Sequence, residues 1–243
     1  MSGSGDLAGT ACVVTGSTRG IGLAIARGLA RRDADVVVSA RTDGDVRRVA
    51  AELAALGNGR AAGIACDVRH PEECRHLIDS AVARFGRLDV LVNNAGWGRF
   101  APIDELSFED WREQIDTNLG GVFHCSRAAV PHLAAGGGGW IINIGSLAGR
   151  HAFAGGTGYN ASKFGLLGMT EAMMLDLRHR NIRVSLIMPG SVNTGFRGQS
   201  AVHDWKLDPR DVARAVEDLL AYPRRALPSR IELRPSRPTR KRT

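Results

Sequence analysis

The sequence predicts one α/β domain, a doubly wound parallel sheet of about seven strands with helices on both faces. Three observations predict it. Short Val/Ile-rich runs alternate with longer helical stretches throughout. The runs are continuously apolar, as strands covered on both faces are. A chain of 243 residues buries one good core but leaves two full domains cramped.

The first strand candidate, Ala11 to Thr15, passes through a glycine-containing turn into a helix at 20–32. Val36 to Ala40 and a helix at 44–56 follow, then Ala62 to Cys66 with a helix at 71–85. Val90 to Val92 is a short fourth strand, and a long helix is predicted over 107–135. Gly136 to Gly139 are four consecutive glycines, which a helix crosses only at a cost. They read as a connector and not a phosphate loop, because the strand Trp140 to Ile144 follows where a phosphate site needs a helix N-terminus. A helix at 158–180, a strand from Arg183 to Met188, a helix at 209–221 and a short strand, Ile231 to Leu233, complete the pattern. The 209–221 helix carries its own start signal in Asp208-Pro209-Arg210-Asp211: an N-cap, a proline at N1 and an acid at N3. No internal repeat is visible. The domain spans 1–234, and 235–243 is a basic tail expected to be disordered.

Hydrophobic residues make up 44% and charged residues 23% of the chain, an ordinary globular balance. No apolar run reaches the roughly eighteen residues a membrane span needs. Met1 to Asp6 lack the basic and apolar regions of a secretory signal, so a cytoplasmic protein is expected. Cys12, Cys66, Cys74 and Cys125 form no Cys-x-x-Cys pair and read as buried free thiols. The histidines show no ligand spacing, and no metal is expected. The net charge of +7 resembles a nucleic-acid footprint until it is located. From Tyr222 onward the eight basic residues Arg224, Arg225, Arg230, Arg234, Arg237, Arg240, Lys241 and Arg242 face one acid, Glu232, so residues 1–221 sum to zero. The excess belongs to the chain end, read as a solvated tail; binding of an acidic partner or nucleic acid is the lesser alternative.

The run Cys12-Val13-Val14-Thr15-Gly16-Ser17-Thr18-Arg19-Gly20-Ile21-Gly22 leads from strand through turn to helix with the spacing G-x-x-x-G-x-G. It differs from the common dinucleotide pattern G-x-G-x-x-G but meets the same demands: a tight turn, close approach of a pyrophosphate to backbone, and N–H groups at a helix N-terminus. An acid ending the second strand would accept from the ribose 2′-hydroxyl of NAD; here that end reads Val38-Ser39-Ala40-Arg41. Arg41, with Arg19 in the glycine turn, forms a candidate basic clamp on a 2′-phosphate, favouring NADP(H) over NAD(H). Asp67, closing the third strand, is a candidate acceptor from the adenine amino group.

Tyr159 and Lys163 share one face of a predicted helix at i,i+4 spacing. A cation beside a phenol favours the phenolate, so the pair is a candidate acid/base. Together with Ser146 upstream, Asn93-Asn94-Ala95-Gly96 and Pro189-Gly190-Ser191-Val192-Asn193-Thr194, these residues make the chain resemble the classical short-chain dehydrogenase/reductase family, with its Rossmann-type sheet, from about Leu7 to Leu233. The resemblance implies catalytic roles for Asn118, Ser146, Tyr159 and Lys163. It also implies a cofactor site of Gly16, Ser17, Thr18, Arg19, Gly20, Ile21, Gly22, Arg41, Asp67, Val68, Asn94, Ala95, Gly96, Tyr159, Lys163, Pro189, Gly190, Val192 and Thr194. Tyr159 then acts as general acid in reduction and as base in the reverse direction, and Ser146 holds the substrate oxygen. Lys163 and the positive charge of an oxidised nicotinamide lower the phenol pKa, and Lys163 also binds the nicotinamide ribose. Asn118 holds a water that joins Lys163 to solvent.

Substrate contacts are expected from loops at the carboxyl ends of the strands: Trp97 and Phe100; Leu147, His151 and Phe153; and Gly190 to Trp205. Their apolar and aromatic character points to a neutral small-molecule ketone or aldehyde, or the corresponding alcohol. Arg99 and Arg150 are either exposed or sites for an acidic carrier. The short Thr194 to Lys206 segment and the ending Ser229-Arg230-Ile231-Glu232-Leu233-Arg234-Pro235 depart from the family's long lid and glycine-rich last strand, and resemble a subset of short reductases. The resemblance also implies a homotetramer or homodimer. The alternatives are an NAD-dependent alcohol dehydrogenase and, from a different class, a non-catalytic NADP-sensing protein.

Overall fold

Apolar strands that must be covered on both faces pair most readily through helical crossovers, and the chain does this throughout. The structure, a computed structural model, describes residues 7–195 and 203–237. Its elements are β1 (Ala11–Thr15), α1 (Gly20–Ala30), β2 (Asp35–Ala40), α2 (Asp43–Ala54), β3 (Ala61–Ala65), α3 (Pro71–Phe85), β4 (Val90–Asn93), α4 (Phe108–Ile115), α5 (Gly121–Ala135), β5 (Gly139–Ile144), α6 (Thr157–Leu177), β6 (Ile182–Pro189), α7 (Pro209–Leu220) and β7 (Arg230–Leu233). The seven strands form one parallel sheet in the order β3-β2-β1-β4-β5-β6-β7.

Alternate strand residues point to opposite faces, which divides the core in two. Val14, Val38, Val92 and Ile142 pack with Ile25 and Leu29 of α1, Val46 and Leu53 of α2, and Val216 and Leu219 of α7. Val13, Val37, Leu91 and Ile141 pack with Leu77 and Ile78 of α3 and Cys125, Ala129 and Leu133 of α5. Each fully buried Leu or Ile contributes about 1.5–3 kcal/mol, so both faces anchor the central strands. Between them runs a polar ladder: Asn93 Nδ2 donates to Ser126 Oγ (3.0 Å) and to Asn143 Oδ1 (2.9 Å), and Asn143 Nδ2 donates to Thr170 Oγ1 (2.9 Å). It ties α5 and α6 to adjacent strands. The chain leaves β1 toward β2 and β3 and returns to β4 on the other side of β1, and a sheet of this kind binds ligands in the crevice at that reversal.

The helix expected at 107–135 runs from Phe108 to Ala135 but changes pitch within it. Helix α4 and α5 are separated by a π turn, Asp116–Gly120, a wider turn often found at functional sites. Helix α5 then seats against the loop after β3, where a Cβ on Gly121 would lie 2.6 Å from Val68 Cγ2. The helix expected at 158–180 ends at Leu177 and finishes as a 3-10 turn, Arg178–Arg180. Gly139 belongs to β5, which shortens the glycine connector. Strand β3 covers Ala61–Ala65, so Cys66 lies just beyond it. Among the described residues no helix is long and apolar enough to cross a membrane. Most of the basic tail, from 238, and the expectation placed on Met1 to Asp6 lie outside the described residues.

Candidate active site

The turn after β1 is built by hydrogen bonds to the loop after β4. Thr15 Oγ1 accepts from the backbone N–H groups of Asn94 and Ala95, both at 3.0 Å. Asn94 Nδ2 donates to the carbonyls of Thr15 (2.9 Å) and Gly16 (3.0 Å). Gly16 has φ +61°, and a Cβ there would stand 2.8 Å from Ala95 Cα. A Cβ on Gly22 would stand 2.4 Å from both Asn94 Nδ2 and the Gly16 carbonyl oxygen. Gly22→Ala must therefore move the turn. It is expected to lose about 1–3 kcal/mol of stability and about tenfold or more in coenzyme affinity, readable by denaturant unfolding and by titration with NADPH.

Helix α1 opens on Arg19 with no side-chain cap and no acid in its first turn. No side chain of its own cap or first turn takes up these N–H groups, a surrounding that fits a pyrophosphate. Thr194 lies against Gly20, its Cγ2 3.4 Å from where a Cβ would be. Ser17 serves the fold: fully buried, it donates to the Val14 carbonyl (2.7 Å) and accepts from Ser39 N–H (2.9 Å).

At the adenosine end, Arg19 and Arg41 are both exposed. Arg41 Nη1 lies 3.8 Å from Glu113 Oε1 of α4. The carboxylate of Asp67, expected to accept from an adenine amino group, is forked by Arg69 at 2.9 and 3.0 Å from Nε and also accepts from Arg69 backbone N–H at 3.1 Å. The Arg69 guanidinium holds that carboxyl below the usual range.

At the reacting end, α6 carries Tyr159 and Lys163 one turn apart. Ser146 follows β5, and its Oγ accepts from Ala148 N–H (3.1 Å), capping the 3-10 turn Leu147–Gly149. Lys163 is buried; its Nζ lies 5.8 Å from the Tyr159 ring centroid and donates to the Ile144 carbonyl at 3.1 Å. Burial pulls the Lys163 ammonium down from 10.5 to about 8. Tyr159 is half-buried, and desolvation pushes its phenol above the ordinary value while a hydrogen bond with Ser146 opposes the shift. The lowering expected from Lys163 together with an oxidised nicotinamide concerns the coenzyme-bound state; in the protein by itself the phenol is raised.

Asn118 sits in the π turn, fully buried. Its Oδ1 accepts from Trp97 N–H (2.8 Å), and its Nδ2 donates to the Trp97 carbonyl (2.8 Å) and to Ser162 Oγ (3.0 Å). A Cβ on Gly96 would meet Asn118 Oδ1 at 3.3 Å and Lys163 Nζ at 3.9 Å. A side chain at Gly96 would therefore crowd Asn118 Oδ1 and touch Lys163 Nζ.

Aromatic rings close around the phenol: the Phe100 centroid is 5.3 Å from Tyr159 and 4.8 Å from Phe153. The neighbouring arginines are paired within the protein. Arg150 and Arg234 both reach Glu232, at 2.5 and 2.9 Å, Arg234 also contacts His151 Nε2 at 3.2 Å, and Arg99 lies 4.0 Å from Asp110. Gly190 is enclosed by Leu147 and Pro235, and its N–H donates to the Leu233 carbonyl (2.8 Å). Val192 pairs with Leu207. Residues 196–202 of the loop expected at the substrate lie outside the described residues.

Several supporting residues escaped the sequence reading. Asn160 Nδ2 donates to the carbonyls of Ala148 (2.6 Å) and His151 (3.2 Å), pinning the loop after Ser146 to α6. Ser162 and Asn160 lie inside the Tyr159–Lys163 interval, which was the available signal. Thr15 stood in the glycine-turn run, whereas Arg69 and Glu113 gave no signal. Three thiols meet in the fold: the contact with Cys74 and burial push the Cys66 thiol upward, while the contact with Cys125 and burial push Cys74 upward against an opposing effect of Cys66, as in inert structural cysteines. Among the described residues no group of His, Cys, Asp or Glu is arranged to hold a metal ion.

The family model for short chain dehydrogenase matches residues 10–204. An uncharacterized oxidoreductase of Staphylococcus saprophyticus is 32% identical over 95% of this chain and 99% of its own. A cyclohexanol dehydrogenase of an Acinetobacter strain is 38% identical over 75% of this chain and 72% of its own. Among solved structures, the alcohol dehydrogenase of the archaeon Thermococcus sibiricus complexed with 5-hydroxy-NADP superimposes with a TM-score of 0.89 at 30% identity, covering 95% of this chain and 99% of that one. A metagenomic short-chain oxidoreductase in complex with NADP gives 0.84 at 38% identity, covering 97% and 100%. The family model over most of the chain, together with these relatives and structures, shows that the chain belongs to the short-chain dehydrogenase/reductase family as an NAD(P)-dependent oxidoreductase.

Proposed function

We propose that the protein is an NADPH-dependent reductase of neutral ketones or aldehydes, with Tyr159 as its proton donor. The observation that carries this reading is the assembly of half-buried Tyr159 and Ser146 with buried Lys163 after β5 and on α6, with Phe100 packed on the phenol ring. Bound nicotinamide coenzyme supplies the hydride.

Ser146 orients the substrate carbonyl oxygen toward the phenol, where negative charge develops. Tyr159, neutral at physiological pH, gives its proton to that oxygen. Lys163, charged below about pH 8, offsets the phenolate that remains. A water held near Asn118 would join Lys163 to solvent and provide the route by which the proton is restored. Alcohol oxidation is the same sequence in reverse, Tyr159 then acting as base. Phe123 of α5 and Phe164 of α6 are 49% and 44% exposed, which supports assembly into a homo-oligomer through the helices bearing the site.

The coenzyme assignment rests on Arg41 standing where an acid would select NAD. Arg41→Glu is expected to weaken NADPH binding by about ten- to a hundredfold, the range of one or two charge-assisted hydrogen bonds, and to leave NADH binding unchanged or improved. Equal wild-type affinity for both coenzymes, unaffected by the reversal, would contradict it.

A further inference from the structure

We infer that Glu113 sets how strongly the site favours the phosphorylated coenzyme, by competing with the 2′-phosphate for Arg41. This rests on the NADPH reading above and adds a residue outside both the glycine turn and the end of β2.

Glu113 Oε1 faces two guanidinium groups, Arg41 at 3.8 Å and Arg69 at 3.5 Å. Arg69 is already engaged, its Nε and Nη2 forked on Asp67 and its charge further offset by Asp116. Arg41 has no such fork, and its side chain is 65% exposed. Glu113 is therefore the carboxylate that neutralises Arg41 when no phosphate is present.

The contact is long and solvated, so it is weak and readily displaced. A phosphomonoester dianion, with short charge-assisted bonds in fork geometry, takes Arg41 from it. Glu113 then stands beside the dianion with its own charge uncompensated by Arg41, which lowers the affinity gained. With NADH, which brings no phosphate, Arg41 stays paired and its charge is not left to repel or strain anything. Glu113 thus limits the preference for NADPH by weakening NADPH binding and leaves NADH binding nearly untouched.

The test is a double-mutant cycle: coenzyme affinities of wild type, Glu113→Gln, Arg41→Ala and the double variant, for NADPH and NADH, at low and at physiological ionic strength. Glu113→Gln is expected to tighten NADPH by about three- to tenfold at low salt, less at physiological salt, and to change NADH by less than about twofold. In the Arg41→Ala background the tightening should shrink markedly. Unchanged or weakened NADPH binding in Glu113→Gln, with Arg41→Ala still weakening it, overturns this inference and leaves the coenzyme reading standing. NADPH affinity unmoved by Arg41→Ala overturns both.

Discussion

Tyr159→Phe is expected to bind NADPH as tightly as the wild type while turnover falls by about 10²–10⁴-fold, the range supplied by a positioned general acid. Phenylalanine keeps the ring that packs 5.3 Å from Phe100 and removes only the hydroxyl that Ser146 meets. The fold and the coenzyme turn, held by Thr15 and Asn94 on the far side of β4, have no reason to change. Stopped-flow coenzyme binding and steady-state rates on the same preparation separate the two effects. Near-wild-type turnover would remove Tyr159 from the mechanism.

Lys163→Met is expected to dissociate stability from activity. Lys163 is buried with its ammonium donating to one backbone carbonyl at 3.1 Å, and burial lowers its pKa from 10.5 to about 8. The folded protein therefore holds this proton less tightly than the unfolded chain. Below pH 8 the charge is kept in both states, and burying it costs about 3 kcal/mol. Between pH 8 and 10.5 the folded state has released the proton and the unfolded state has not, so wild-type stability rises through that window. Methionine removes the penalty and gives up one hydrogen bond worth about 1 kcal/mol, leaving a gain of about 1–2 kcal/mol near neutral pH. A Tm a few degrees above wild type at pH 7, with the difference shrinking as pH rises from 8 toward 10.5, accompanies nearly complete loss of turnover. A Tm difference of the opposite sign, or one indifferent to pH, would show that the ammonium is well compensated where it sits.

What the sequence made legible is what sterics and periodicity impose locally. The G-x-x-x-G-x-G turn could be read because Gly16 and Gly22 have no room for a Cβ, and the Tyr159/Lys163 pair because a helix fixes the i,i+4 offset. The strands could be read because burial on both faces makes them continuously apolar. The seam at Asp116–Gly120 could not, since a π turn changes the backbone by one residue without changing the apolar pattern around it. Nor could the environment of the charges: Arg41 and Glu113 lie far apart in sequence, and Asp67 found its partner in Arg69 two residues on, where spacing alone favours no contact. The raised phenol of the protein by itself was not legible either, because the sequence shows the nearby lysine but not how much water the fold removes from both groups. Cys66, Cys74 and Cys125 likewise meet only because β3, α3 and α5 converge.

Hydride transfer from NADPH to a carbonyl at this site is read by NADPH oxidation against a panel of ketones, aldehydes and β-ketoacyl thioesters, with the alcohol product quantified. Stoichiometric coenzyme oxidation and alcohol formation are expected with at least one neutral member of the panel. Tight NADPH binding with no oxidation by any member would contradict that transfer, and would make the protein a binder of the coenzyme without being a catalyst.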